Sequence, residues 1–234
     1  MPMAANGLFV TATDTAMGKT RFALTLMARL QAAGLRVNGM KPVASGCETS
    51  PAGWRNADAV QIQARCSTQL DYADINPYAF APAIAPHIAA AADGTDIKLT
   101  HIADCYARIS GDADVVVVEG AGGWLVPLGG GNSWAEVADR LDLQIVLVVG
   151  MRLGCINHAL LTAQAITASG RQLAGWVANQ IDPAYTEPDA TIACLQAAIA
   201  APFIGLMPHN ETAAPESPDS ARLHIDRLPV KGVL

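Results

Sequence analysis

The sequence predicts an α/β fold: one domain over residues 1–234, built on a mostly parallel sheet flanked by helices. Three observations lead there. An apolar run, Phe9-Val10, passes through a short polar loop into Gly18-Lys19-Thr20, then into a helix-periodic segment carrying Phe22, Leu24, Leu26, Met27 and Leu30. Val115 to Val118 is an uninterrupted β-branched run, as expected of a parallel strand covered on both faces. Expected strands and helices alternate along the chain, so a doubly wound sheet with right-handed crossovers is the economical architecture.

Taken in order, Gly7 to Ala12 is the first strand and Thr20 to Ala33 the first helix, closed by Gly34 in a left-handed cap. Leu35 to Met40 is the next strand. A Pro/Gly/Ser/Thr-rich loop after Lys41-Pro42 runs to Asn56, before a helix from Ala57 to Cys66 that carries Val60 and Ile62 inward. Residues 70 to 95, interrupted by Pro77, Pro82 and Pro86, read as irregular or broken helix, and a helix follows from Leu99 to Ile109. Beyond the valine strand, Ser133 caps a short helix through Leu141. Ile145 to Val149 is a buried strand, and Gly154 to Ser169 a long helix stopped by Gly170. Strands over Gly175 to Asn179 and Phe203 to Leu206 flank a helix over Thr191 to Ala200. Residues 210–222, with Pro215 and Pro218, read as a flexible, loosely packed loop.

Composition narrows the function. With 51% hydrophobic and only 15% charged residues, the chain buries a substantial core and leaves a weakly charged surface, which hints at a subunit contact. A formal charge of −6 and no Lys/Arg run argue against nucleic acid or anionic lipid as partners. The five cysteines are scattered and lack any C-x-x-C, so they read as reduced thiols of a cytosolic protein. No apolar run approaches the length of a membrane span.

The chemistry should sit just beyond the carboxyl ends of the strands. At Gly18 to Arg21, free backbone N–H groups and a helix dipole converge, Lys19 adds an ammonium and the Thr20 hydroxyl can ligate Mg²⁺, so the loop reads as P-loop NTPase-like. The strict pattern wants glycine where Thr13 stands, and the bland alternative is a turn glycine beside a solvated lysine. Glu119 ends the valine run, placed to hold Mg²⁺ or to be an ordinary strand-end acid. Asp58 can reach the same metal or serve its own helix dipole. Lys41 can stabilise charge on a transferred phosphoryl group or simply snorkel. Gly120 to Gly123 allows close approach of a ligand. Gly154 to Asn157 opens a second helix N-terminus, with His158 read as a structural hydrogen-bonding residue.

The segments Thr11 to Thr20, Lys41-Pro-Val-Ala-Ser-Gly46, Arg55-Asn-Ala-Asp58, Asn76-Pro-Tyr78, Pro86-His87, Val118 to Trp124, Gly154 to His158 and Gly175 to Asn179 together resemble the dethiobiotin synthetase family of biotin biosynthesis. The resemblance implies a single-domain P-loop homodimer that uses ATP and Mg²⁺ to join CO₂ (or bicarbonate) to 7,8-diaminononanoate (7,8-diaminopelargonate) through a carbamate and a carbamic-phosphoric anhydride. It implies ATP contacts from Ala16, Met17, Gly18, Lys19, Thr20 and Arg21, and from Asp58, Glu119, Gly120, Ala121 and Gly122. Asn179 and Gln180 would read the adenine beside Pro208, His209 and Asn210. Thr20, Asp58 and Glu119 would hold Mg²⁺, and Lys41 would be the catalytic lysine, with Lys19 assisting. Thr15, Lys41, Ser45 and Gly122 would contact the substrate, together with Gly154, Cys155, Ile156 and Asn157 of the partner subunit. This chain departs from the family in having Ala12 for a usual glycine and Ala16 for a usual glutamate. Alanine at 12 would hurt only if φ there is positive. The main alternative, a partner-switching P-loop ATPase, expects a second lysine early in the loop, and Thr13 to Met17 contains none.

Overall fold

A computed structural model describes residues 6–209, 222–230 and 232. The N-terminal half comprises β1 (Asn6–Ala12), α1 (Lys19–Ala32), β2 (Val37–Met40), β3 (Val43–Ser45), β4 (Glu48–Ser50), β5 (Gly53–Arg55), α2 (Ala57–Arg65), α3 (Tyr72–Ile75), β6 (Tyr78–Phe80), α4 (Pro86–Asp93) and α5 (Leu99–Ser110). The C-terminal half comprises β7 (Val115–Glu119), β8 (Pro127–Gly129), β9 (Asn132–Ser133), α6 (Trp134–Arg140), β10 (Gln144–Met151), α7 (Cys155–Ala168), β11 (Leu173–Gln180), α8 (Pro188–Ala198), β12 (Phe203–Met207) and β13 (Arg222–Leu223).

The main sheet runs β13-β12-β11-β10-β1-β7-β2. Its strands pair in parallel except β13, which lies antiparallel on β12. Because the chain leaves β1 for β2 on one side and later returns to β10 on the other, β1 is the switch point where a ligand cleft opens. Alternate residues of β10 serve opposite faces. Val146 and Val148 belong to the main core with Phe9, Val117 and Leu26, whereas Leu147, Val149 and Met151 pack with Trp176, Leu195 and Cys155 beneath α7 and α8.

The predicted strands and helices are present, with ends shifted by up to three residues. Gly34 (φ 90°) and Gly170 (φ 78°) do adopt the left-handed conformation that ends their helices. Two details differ. Val60 is exposed, because α2 packs through Ala59 and Ile62 and turns Val60 outward. Residues 70–95 contain a short strand, β6, that pairs with β3, and the small β4–β5 and β8–β9 pairs also escape periodicity. The loop expected at 210–222 lies outside the described residues except at Arg222, which belongs to β13.

Candidate active site

Beyond the carboxyl end of β1 lies a cleft of about 680 Å³. Its floor is the loop into α1, with Thr15, Ala16, Gly18, Lys19 and Thr20. Lys41, Ser45 and Asp58 line one side, and Glu119, Ala121 and Gly122 the other. Most of the predicted phosphate and metal residues therefore meet in one place.

The loop is shaped by two left-handed residues, Ala16 (φ 60°) and Gly18 (φ 83°). Gly18 has no substitute: a Cβ there would stand 2.1 Å from Asn179 Nδ2. Ala16 adopts its conformation at a cost of about 1–2 kcal/mol. Ala12 is a buried strand residue opposite Val148 and is not among the positive-φ residues, so its extra methyl brings no backbone strain. Lys19 Nζ donates to the Asp14 carbonyl (3.2 Å), and the Asp14 carboxylate is held by Thr15 N (2.7 Å) and Arg152 (3.1 Å).

The charged centre is compact. Lys41 Nζ lies 2.5 Å from Asp58 Oδ2 and 2.7 Å from Glu119 Oε1, and the Thr20 hydroxyl donates to the same Oε1 at 2.8 Å. Burial alone would push the Lys41 pKa down, but the Glu119 and Asp58 carboxylates outweigh it and raise it, so this lysine stays charged. Lys19 is different. Burial lowers its pKa to about 8, Glu119 only partly compensates, and Lys41 lowers it further.

The other Glu119 oxygen, Oε2, is buried and has no hydrogen-bond partner. An orphaned carboxylate oxygen beside the Thr20 hydroxyl and the Asp58 carboxylate is an all-oxygen donor set, which suits Mg²⁺ shared with substrate phosphates. Among the described residues no group of three or more His, Cys, Asp or Glu side chains is placed to hold a metal ion.

A second group gathers at the ends of β11 and β12. Arg21 Nη1 donates to Asn179 Oδ1 (3.1 Å) and to the Pro208 carbonyl (2.8 Å), while Asn179 Nδ2 donates to Met17 O (2.9 Å). His209 Nδ1 lies 3.3 Å from Gln180 O, and Asn210 lies outside the described residues. Asn179 is only 2% exposed and braces the phosphate loop, a duty the sequence did not reveal. Met17 and Gly120 are likewise packed behind the cleft; a Cβ on Gly120 would meet the Phe9 ring at 2.7 Å.

Gly154 to Asn157 lies off the cleft at the start of α7: Cys155 is buried, Ile156 half-buried, and Gly154 and Asn157 are exposed. His158 is exposed too. Asn56, Ala44, Pro86 and Val126 line the cleft without having been read as site residues. Asn56 was findable as the cap of α2, where its side chain accepts from Ala59 N; the others present only apolar atoms.

A parallel sheet with Gly-Lys-Thr at the first helix start, and a buried acid at the end of the adjacent strand, defines a P-loop NTPase-like protein. Solved structures agree at the level of fold alone. The MinC:MinD cell division protein complex of Aquifex aeolicus aligns at TM-score 0.54 and 15% identity over 88% of this chain and 83% of that one. The signal recognition particle receptor FtsY of Elizabethkingia anophelis aligns at TM-score 0.54 and 14% identity over 97% of this chain, which spans 64% of the FtsY chain. A family model described as an AAA domain matches residues 6–217. Two curated relatives are far nearer in sequence. The ATP-dependent dethiobiotin synthetase BioD of Xanthomonas euvesicatoria is 47% identical over 94% of this chain and 97% of its own length. That of Pseudomonas aeruginosa strain UCBPP-PA14 is 46% identical over 95% and 96%. The chain belongs to the ATP-dependent dethiobiotin synthetase family.

Proposed function

We propose that the chain catalyses ATP-dependent carboxylation and ring closure of 7,8-diaminononanoate with CO₂, giving dethiobiotin, ADP and phosphate, and that residues 1–234 act as one unit. The observation that carries this reading is the placement of Lys41, a charged ammonium held between Glu119 and Asp58 at the mouth of the phosphate loop. A phosphoryl-transfer site needs positive charge that is positioned before the reaction and released toward the phosphate during it.

In this reading one substrate amine becomes a carbamate, and a carbamate oxygen attacks the γ-phosphorus of ATP as its bond to ADP breaks. The second amine then attacks the carbamoyl carbon, and phosphate leaves with that oxygen. Lys19 and the N–H groups at the start of α1 bind the phosphates, while Lys41 stabilises the charge of the transferring group. Thr20, Asp58 and Glu119 would hold Mg²⁺, which supplies charge neutralisation of the phosphates. Thr15, Ser45 and Gly122 border the diamine, and the Asn179–Gln180 and Pro208–His209 segments border the base. With alanine at 16, the site has no carboxylate at that position to compete with the phosphates.

The substrate carboxylate is assigned to the α7 N-terminus of a second subunit, which puts Gly154 to Asn157 to use. Leu153 (91% exposed) and Leu161 (57% exposed) stand on that segment as exposed large apolar side chains of the kind a homodimer covers. Five free thiols accord with the cytosol, and no helix among the described residues is long and apolar enough to cross a membrane. The test is ADP release measured with each component omitted in turn. Release that needs both the diamine and bicarbonate supports the reading; release with ATP alone marks a partner-switching ATPase.

A further inference from the structure

Tyr72 and Asn76 do not line the cleft, yet they join the backbone that carries Lys41 to the helix that carries Asp58. Asn76 is 3% exposed. Its Nδ2 donates to the Lys41 carbonyl (2.7 Å) and to Tyr78 O (3.2 Å), two groups that only accept, so the orientation of the amide is fixed. Oδ1 then faces the Tyr72 hydroxyl, which donates to it at 3.0 Å and accepts from Asn56 N at 2.8 Å. Asn56 caps α2 through Ala59 N and reaches Ser45 O at 3.4 Å. The Arg55 guanidinium lies 4.0 Å over the Tyr72 ring. The Lys41 N–H is also held, by Ile75 O at 2.8 Å. A closed circuit results, from the Lys41 ammonium through Asp58, α2, Asn56, Tyr72 and Asn76 back to the Lys41 carbonyl.

We propose that Tyr72 and Asn76 are positioning residues for Lys41, and that the Tyr72 hydroxyl couples the Lys41 backbone to the helix start bearing Asp58. The inference rests on Lys41 being the catalytic lysine. Its ammonium must leave two carboxylates and meet the transferring phosphoryl group, and a misplacement near 1 Å costs on the order of 10²-fold in rate. The circuit also gives physical content to Arg55-Asn56-Ala57-Asp58 and Asn76-Pro77-Tyr78, whose polar side chains the mechanism otherwise leaves unused apart from Asp58.

Tyr72→Phe keeps the ring and its contact with Arg55 and removes only the hydroxyl. Expected are a kcat lower by roughly tenfold, an unchanged KM for ATP, and no further loss when the change is made in a Lys41→Ala enzyme, because the effect passes through the Lys41 ammonium. Asn76→Asp, which replaces the donor to the Lys41 carbonyl with an oxygen, should act in the same direction and more strongly. Wild-type kcat in Tyr72→Phe would overturn the inference, as would the same fold-loss with and without Lys41, the mark of a merely structural role. Wild-type turnover by Lys41→Ala would instead remove the catalytic reading, and the inference with it.

Discussion

Lys19 and Lys41 both line the cleft, and their surroundings suit them to different tasks in the proposed reaction. Lys41 is held by two carboxylates and does not titrate near neutrality, so Lys41→Ala should leave ATP binding nearly intact while lowering kcat by about 10²- to 10³-fold, read from single-turnover kinetics. Lys19→Ala should instead weaken ATP binding. The Lys19 pKa, lowered by burial to about 8 from 10.5, makes a second test. In the free protein the unfolded chain holds that proton more tightly between those values, so this group adds stability as pH rises through the window. Phosphates favour the charged lysine and reverse the balance. ATP affinity should therefore fall by up to about tenfold per pH unit above 8, with proton uptake in calorimetry; flat affinity from pH 7 to 9 would contradict it. The residue types at the site were legible because loop, strand end and helix start announce themselves in sequence. The bracing of the loop by Asn179 was not, because a 162-residue separation hides the contact with Met17 O.

At the scale of elements, legibility followed length and period. The β7 valine run and the helices over Lys19–Ala32 and Cys155–Ala168 are long enough for pattern to decide them, whereas β4, β5 and β8 have three residues each and owe their pairing to tertiary context. Val60 misled because α2 buries a narrow stripe, and Val60 borders Ala59 in sequence but not on that face. The start of α6 was predicted from Ser133 and is a complete capping box. Ser133 Oγ accepts from Ala135 N (3.2 Å), and Glu136 Oε2 accepts from Ser133 N (2.6 Å) and Oγ (2.7 Å). The Ser133 hydroxyl, with its N–H, holds the Glu136 carboxyl below its usual 4.5. Ser133→Ala should cost about 1 kcal/mol near pH 7 in urea denaturation. A depressed carboxylate pKa contributes stability above its unfolded value and loses it as pH falls, so the penalty should shrink below pH 4.5. An equal penalty at acid pH would assign the cap to the hydroxyl alone.

At the scale of the whole molecule, the doubly wound sheet was readable from alternation, and β1 at its switch point explains why loop, strand end and helix start share one cleft. Gly154 to Asn157 lies off the cleft, and in the proposed homodimer it would serve the site of the partner subunit. If the site is shared, inactive Lys41→Ala and inactive Asn157→Trp proteins should complement after subunit exchange. Random mixing makes about half the dimers mixed, each with one intact site, so roughly a quarter of all sites should recover. No recovery after verified exchange would confine the site to one chain. If ATP phosphorylates a carbamate in the Lys41–Glu119 cleft, as proposed, the released phosphate takes one oxygen from CO₂. With ¹⁸O-labelled CO₂, supplied faster than it exchanges with water, phosphate released with dethiobiotin should carry one labelled oxygen, and Lys41→Ala should release it far more slowly. Unlabelled phosphate formed at the full rate of product release would contradict the account, because water and not a carbamate would then have attacked ATP.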